Sequence, residues 1–330
     1  MARLFPSIAR AFCFVALTLM MLSALPVRAE TAPAAAEKAE TAAPAPAAAV
    51  KPPTAEEKAA LLKTAAQIEA FDASKIVGHA TPWQLYYQAP ASPMMHTIEN
   101  LHDLVMVIIT AITVLVTGLM LYVMIRFRKS AHPVPKKFAH NTTVEIVWTV
   151  VPILILIAIG IPSIRAHYQV YFNQEALNNP DLTLKVVGHQ WYWSYEYPDY
   201  NIAYDANIKA DKDLLPNEPR LLAVDNAVVV PVNKVVKVQM TGADVIHDWA
   251  VPAFGVKKDA IPGRLNETWF KAEKEGIYYG QCSELCGKGH GFMPIMVVVV
   301  SEPEFEAWVK GAQLKYAAND TMQFAALGVN

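Results

Sequence analysis

Leu104-Val-Met-Val-Ile-Ile-Thr-Ala-Ile-Thr-Val-Leu-Val-Thr-Gly-Leu-Met-Leu-Tyr-Val-Met-Ile125 holds 22 residues without a single charge. As a helix rising about 1.5 Å per residue, it reaches across a hydrocarbon core roughly 30 Å thick. A second apolar block, Val144 to Ile164, holds 21 residues with only Glu145 charged. Between the two lie Arg126, Arg128, Lys129, Lys136 and Lys137, and no acid. A short loop so loaded with cations stays on the cytoplasmic side. The pattern predicts a transmembrane helical hairpin over residues 95–165, with everything before it and after Arg165 facing outward. A buried helix pair of a soluble protein is the competing reading, and the two adjacent spans with a basic hairpin loop argue against it.

Toward the N-terminus, residues 1–29 read as a cleaved signal peptide. Arg3 and Arg10 supply a positive start, Ala11 to Leu25 an apolar run too short to span comfortably, and Val27-Arg28-Ala29 a small-residue cleavage site. Residues 30–75 read as a disordered Ala/Pro-rich segment, since a stretch of Ala, Pro, Glu, Lys and Thr buries too little apolar surface to offset its ordering entropy. Within it, 54–75 has the pattern of a short amphipathic helix, to which no function is assigned.

Toward the C-terminus the period changes. Leu182–Val187, Trp191–Tyr197, Ala227–Val232, Val235–Met240, Glu267–Ala272, Ile277–Gln281 and Pro294–Val300 are short, β-branched or aromatic, and divided by turn residues. Six or seven such strands predict an all-β sandwich or barrel over residues 166–316, closed by an amphipathic helix at Glu302–Lys315 and followed by a tail at 317–330. Composition agrees with a membrane anchor carrying a globular part: 54% hydrophobic, 18% charged, mean hydropathy +0.23. A net charge of −2 excludes a broad basic nucleic-acid footprint, and three cysteines exclude a disulfide scaffold. No Cys-x-x-Cys-His for covalent haem, phosphate-cradling glycine loop or nucleophile triad is present.

The chemistry concentrates in Cys282-Ser-Glu-Leu-Cys286-Gly-Lys-Gly-His290-Gly-Phe-Met293-Pro294, with His247 upstream at the end of another strand. Thiolate, imidazole and thioether together are the soft set that selects copper. A disulfide would leave His247, His290 and Met293 unexplained. Zinc sites favour Cys-x-x-Cys spacing and do not use thioethers. A mononuclear blue copper site needs one cysteine, so the second is one too many. Two thiolates bridging a pair of coppers would give each metal one histidine and one weak ligand.

This segment resembles the dinuclear copper (CuA) loop of cytochrome c oxidase subunit II, of the haem-copper oxidase family. Gly188-His-Gln-Trp191-Tyr192-Trp193-Ser-Tyr-Glu-Tyr197, Val245-Ile-His247-Asp-Trp249-Ala-Val-Pro252 and Asp259-Ala-Ile-Pro-Gly-Arg264 are also similar to that family, and the resemblance covers roughly residues 95–315. It implies a cupredoxin-like Greek-key barrel on the outer, periplasmic face of the cell inner membrane. It implies that His247, Cys282, Cys286, His290 and Met293 ligate two copper ions by their side chains and Glu284 by its backbone carbonyl. The Glu284 side chain would hold a magnesium or manganese ion shared with subunit I. It implies, further, that Trp191 receives electrons from cytochrome c, which subunit I then uses to reduce dioxygen while pumping protons. Subunit III is a further expected partner.

Alternation alone puts Trp191 and Trp193 on one face of a strand and Tyr192 on the other, so half the run is core. Cytochrome c is basic, and residues 166–330 carry 20 acids against 14 Lys and Arg, which would steer association. Asp225 and Asp244 match the family's docking carboxylates, or are ordinary turn residues. Glu145 closes a capping-box pattern, Thr142-Thr-Val-Glu145, and also matches the glutamate at the mouth of a proton pathway into subunit I. Two rivals remain at this point. Nitrous oxide reductase shares the copper loop but not the hairpin. A membrane-anchored copper chaperone would use the Cys-x-x-x-Cys pair for delivery, but would not need Met293, His290 or the aromatic run. Quinol-oxidising relatives lack the copper ligands.

Overall fold

The computed structural model describes residues 53–134 and 140–316. The expected signal peptide, the first half of the Ala/Pro-rich segment, Lys136, Lys137 and the tail at 317–330 lie outside the described residues.

Helix α1, Ala55–Glu69, starts at a capping box in which Thr54 and Glu57 each accept the other's backbone N–H. The helix expected within 54–75 is present, so the reading of 30–75 as disordered is corrected for its second half. α1 is held by a partner remote in sequence, and strand β1, Ile76–Gly78, follows it. The hairpin helices are α2, Pro93–Arg126, and α3, Thr142–Tyr171. Their apolar side chains point outward, with none of the central window of either helix buried by the rest of the chain, as lipid-facing spans require. α3 carries Pro152 and Pro162 without ending. The expected capping box shifts by one residue: Asn141 caps α3 through Val144 N–H, and the Glu145 carboxylate accepts the Asn141 N–H at 3.1 Å.

Short helix α4, Gln174–Asn178, leads into the β-domain. Its strands are β2 Leu182–His189, β3 Tyr192–Tyr197, β4 Ile202–Ala206, β5 Val228–Pro231, β6 Val235–Gly242, β7 His247–Val251, β8 Val256–Ala260, β9 Asn266–Lys271, β10 Gly276–Cys282 and β11 Pro294–Val300. One sheet runs β4-β3-β2-β6-β9; the other runs β5-β11-β10-β7-β8, with β1 added in parallel on β10. The pairs β2–β6 and β5–β11 are parallel, so the chain crosses between layers. β4, β7 and β8 go beyond the six or seven strands expected.

Period-two burial is plain in β2 and β6, where Leu182, Leu184, Val186, Val236, Val238 and Met240 turn inward and Thr183, Lys185, Lys237 and Gln239 turn outward. β11 is buried along its whole length. Between the sheets, Phe254 stacks on Phe270 at 4.8 Å and meets Tyr278 at 4.5 Å. Each such ring contributes about 1.5–3 kcal/mol by burial. Closing helix α5, Glu302–Tyr316, packs Phe305 and Trp308 onto the domain and receives α1. Gly311 lets the Leu61 carbonyl and Ala65 approach closely, while Glu69 accepts from Trp308 Nε1 at 2.7 Å and Lys315 Nζ at 2.9 Å.

The hairpin and the domain are joined at both helices. The Ala91 N–H donates to Ala253 O at 2.9 Å, and the Ser92 hydroxyl, which also caps α2, donates to Phe254 O at 2.6 Å. At the other helix, Trp269 Nε1 donates to Val170 O at 3.0 Å.

Candidate metal centre

The loop between β10 and β11 is built to hold its side chains inward. Cys282 ends β10, pairing with Trp249 of β7, and its N–H donates to Met293 O at 3.3 Å. The loop folds back through Gly287 at φ 115°, a conformation glycine accepts readily. His290 N–H then donates to Gly287 O.

This turn brings together side chains that are separate in sequence. Cys282 Sγ lies 3.9 Å from Cys286 Sγ and 3.9 Å from His247 Nδ1. Cys286 Sγ lies 3.6 Å from both His290 Nδ1 and Met293 Sδ, and the Glu284 carbonyl oxygen is 3.4 Å from Cys282 Sγ. Both thiols are free and buried, at nearly twice the ~2.05 Å length of a disulfide. His247 is fully buried and opens β7, while the Glu284 side chain is exposed. All six sequence-predicted positions thus converge. Two thiols, two imidazole nitrogens, a thioether and a carbonyl within one cluster fit a thiolate-bridged copper pair.

His247 is oriented from behind. Its Nε2 lies 2.8 Å from Asp244 Oδ1, leaving Nδ1 for the sulfurs. Asp244 also accepts from Val245 N–H and from Gln190 N–H at 2.8 Å. Burial pushes the Asp244 carboxyl up, but these donors, His247 foremost, hold it below the usual carboxylate range. Such a carboxylate behind a histidine ligand fixes its tautomer and ring plane. Asp244 therefore has a structural engagement that sequence did not reveal. Gln190 was missed altogether: its Nε2 donates to Cys286 O at 2.9 Å, and no local pattern marks such a contact. Burial also raises the thiols, yet hydrogen bonding to His247 brings Cys282 down to about 7, while burial and the Cys282 charge push Cys286 up to about 12.

Trp191 departs from the alternation expected of it. β3 begins at Tyr192, so Trp191 lies in the preceding turn and its indole packs against Gly289, where any Cβ would collide with it. Its Nε1 donates to Cys286 O at 3.1 Å and Lys288 Nζ sits 5.6 Å from its ring. Trp191 is partly exposed, whereas Trp193 is fully buried, with Nε1 on Met293 O. Asp225 is exposed and accepts from Asn207 N–H at 2.7 Å. Glu145 lies at the far end of the hairpin, 3.8 Å from His140.

Fold and site together define a membrane-anchored, copper-binding electron-transfer protein of two spans. The description "Cytochrome C oxidase subunit II, periplasmic domain" matches residues 182–300, and "Cytochrome C oxidase subunit II, transmembrane domain" matches residues 80–166. A "Probable cytochrome c oxidase subunit 2" of Rickettsia bellii is 50% identical over 72% of this chain and 87% of its own length. The cytochrome c oxidase subunit 2 of Cereibacter sphaeroides is 46% identical over 77% of this chain and 89% of its own. Among solved structures, the periplasmic domain of subunit II of cytochrome oxidase of Bradyrhizobium japonicum is 61% identical, covering 42% of this chain and 99% of that one, at a TM-score of 0.40. The chain belongs to the cytochrome c oxidase subunit II family. It is a subunit of an oxidoreductase, with the copper centre and cupredoxin-like domain of that family. The chaperone reading of the cysteine pair is not favoured.

Proposed function

We propose that this chain is the electron-accepting arm of its oxidase, taking electrons from reduced cytochrome c on the periplasmic side of the inner membrane. The observation that carries the reading is the convergence of His247, Cys282, Cys286, His290, Met293 and the Glu284 carbonyl on one buried cluster. Two coppers held by these side chains would supply one-electron redox chemistry, and this chain's residues would place that centre between the donor and subunit I.

The chain's own residues do the rest. Asp244 and Gln190 hold His247 and the Cys286 carbonyl, so the donor set is in place before metal arrives. Trp191 offers a partly exposed indole whose N–H reaches the backbone of Cys286, a route from the surface into the cluster. The acid excess of residues 166–330 draws a basic donor, with Asp225 exposed on the β-domain and Asp244 beside His247 as the carboxylates that would meet it. The exposed Glu284 carboxylate is free to take a magnesium or manganese ion against subunit I. Glu145, at the cytoplasmic end of α3, both caps the helix and stands where protons would be collected. Subunit III completes the expected assembly.

Copper quantitation and electron paramagnetic resonance on the purified full chain test the reading. Two coppers per chain sharing one unpaired electron over both nuclei is the expected result. One copper, or silent Cu(I) on the thiols alone, would overturn it.

A further inference from the structure

From Ala80 to Met95 the chain carries no charge and no histidine. Near its start, Thr81-Pro82-Trp83-Gln84 is a tight turn closed by the Gln84 N–H on Thr81 O at 3.2 Å and by the Thr81 N–H on Gln84 Oε1 at 3.0 Å. Trp83 occupies the third position at φ 62°, a left-handed conformation that a bulky residue adopts only at a cost and that turns usually give to Gly or Asn. Among the described residues nothing repays the cost, since Trp83 is 97% exposed and Leu85 102% exposed. A large indole held in an unfavourable backbone state, without a packing partner among the described residues, points to surroundings outside the folded domain.

The height of the loop on the hairpin tells what that partner is. Tyr86 and Tyr87 fold back along α2 and place their rings 5.4 and 4.7 Å from the His102 ring. The Tyr86 hydroxyl donates to Asp103. His102 and Asp103 immediately precede Leu104, where the uncharged span begins, so the loop is pinned at the outer edge of the hydrocarbon region. At the matching end of α3, beyond Ile164, stand Tyr168 and Phe172, both exposed. Tryptophan and tyrosine concentrate at this depth, where the ring is apolar and the N–H or O–H stays wet.

We propose that residues 81–87 form an interfacial anchor whose Trp83 and Leu85 side chains enter the headgroup region of the outer leaflet. The loop thus prolongs the lipid-facing surface of the hairpin into the segment that precedes it. This inference is independent of the copper chemistry.

The test is a photoactivatable leucine analogue at position 85 of the full chain, in the assembled oxidase held in lipid nanodiscs, with adducts identified by mass spectrometry. The same analogue at Leu215, exposed on the β-domain, reports the outcome for a solvent-facing site. The proposal expects phospholipid adducts at position 85 and none at 215. A crosslink from 85 to a partner subunit would overturn it, as would water quenching like that at 215. Trp83→Phe gives a second readout: brominated phosphatidylcholine should quench wild-type tryptophan fluorescence more than that of the variant. Equal quenching would overturn the proposal.

Discussion

Gly188→Ala probes the metal centre from a residue that is not itself a ligand. Gly188 sits in β2 beside the His247 ring, and a Cβ there would lie 2.7 Å from both Cδ2 and Cγ of His247 and 2.8 Å from its Cβ. Carbon–carbon contacts are comfortable from about 3.5 Å, so the ring or the strand must give by about 0.8 Å. The ring has little freedom to yield, because Asp244 holds Nε2 at 2.8 Å and the Trp193 ring stands edge-on at 5.9 Å. Metal–ligand distances tolerate roughly 0.2 Å, so the expected displacement is about four times that tolerance. Overpacking of this kind costs about 1–3 kcal/mol, which lowers the melting temperature of a domain this size by about 2–12 °C. The assay combines copper content, the hyperfine pattern in electron paramagnetic resonance, and thermal unfolding followed by circular dichroism. The expected variant keeps its β-domain, melts earlier, and loses copper or shows an altered spectrum. A variant with parental copper content, spectrum and melting point would refute the placement of His247 at the metal.

Other outcomes follow from the same geometry. Gly311→Ala puts a Cβ 2.4 Å from the Leu61 carbonyl and 2.5 Å from Ala65 Cβ; it should cost about 1–3 kcal/mol and expose α1 to limited proteolysis, and unchanged protection would refute the helix contact. With Cys286 raised to about 12 and Cys282 near 7, the metal-free site keeps one thiol proton at pH 8 that copper must displace. Copper affinity should therefore rise about tenfold per pH unit from roughly pH 7.5 to 9, and competition titrations showing no pH dependence would sink this. Asp225→Asn removes one exposed charge, so association with cytochrome c should slow about two- to threefold at low salt and little at high salt. Trp191→Phe should slow reduction by cytochrome c in stopped flow while leaving the copper spectrum intact.

Much of this was legible in sequence because it rests on local signals. The spans need only an unbroken apolar run, and the loop from Cys282 to Met293 packs four soft side chains into twelve positions. What sequence could not show depends on long-range contact. α1 has a mixed polar composition and is ordered by α5, some 240 positions away, through Glu69 with Trp308 and Lys315. β7 and β8 are absent from the strands expected because His247, Asp248, Lys257 and Lys258 obscure their period. Asp248 and Asp259 face each other across that pair, and burial with the neighbouring Asp259 pushes the Asp248 carboxyl up to about 7. Alternation extends the strand to Trp191 because it cannot tell where a strand starts. The capping box moved one residue because Asn141 competes with Thr142 for the cap.

The two attachments of the β-domain to the hairpin have a mechanical meaning. A domain on one flexible leash could swing between a donor and an acceptor, carrying its electron as cargo. Here Ala91 and Ser92 fasten the start of one helix, and Trp269 fastens the end of the other, so the copper loop cannot pivot about a single link. It behaves as a fixed terminal on two struts. Under the proposed function, mobility in the circuit then belongs to the donor, while the two struts tie the copper loop's domain to both helices.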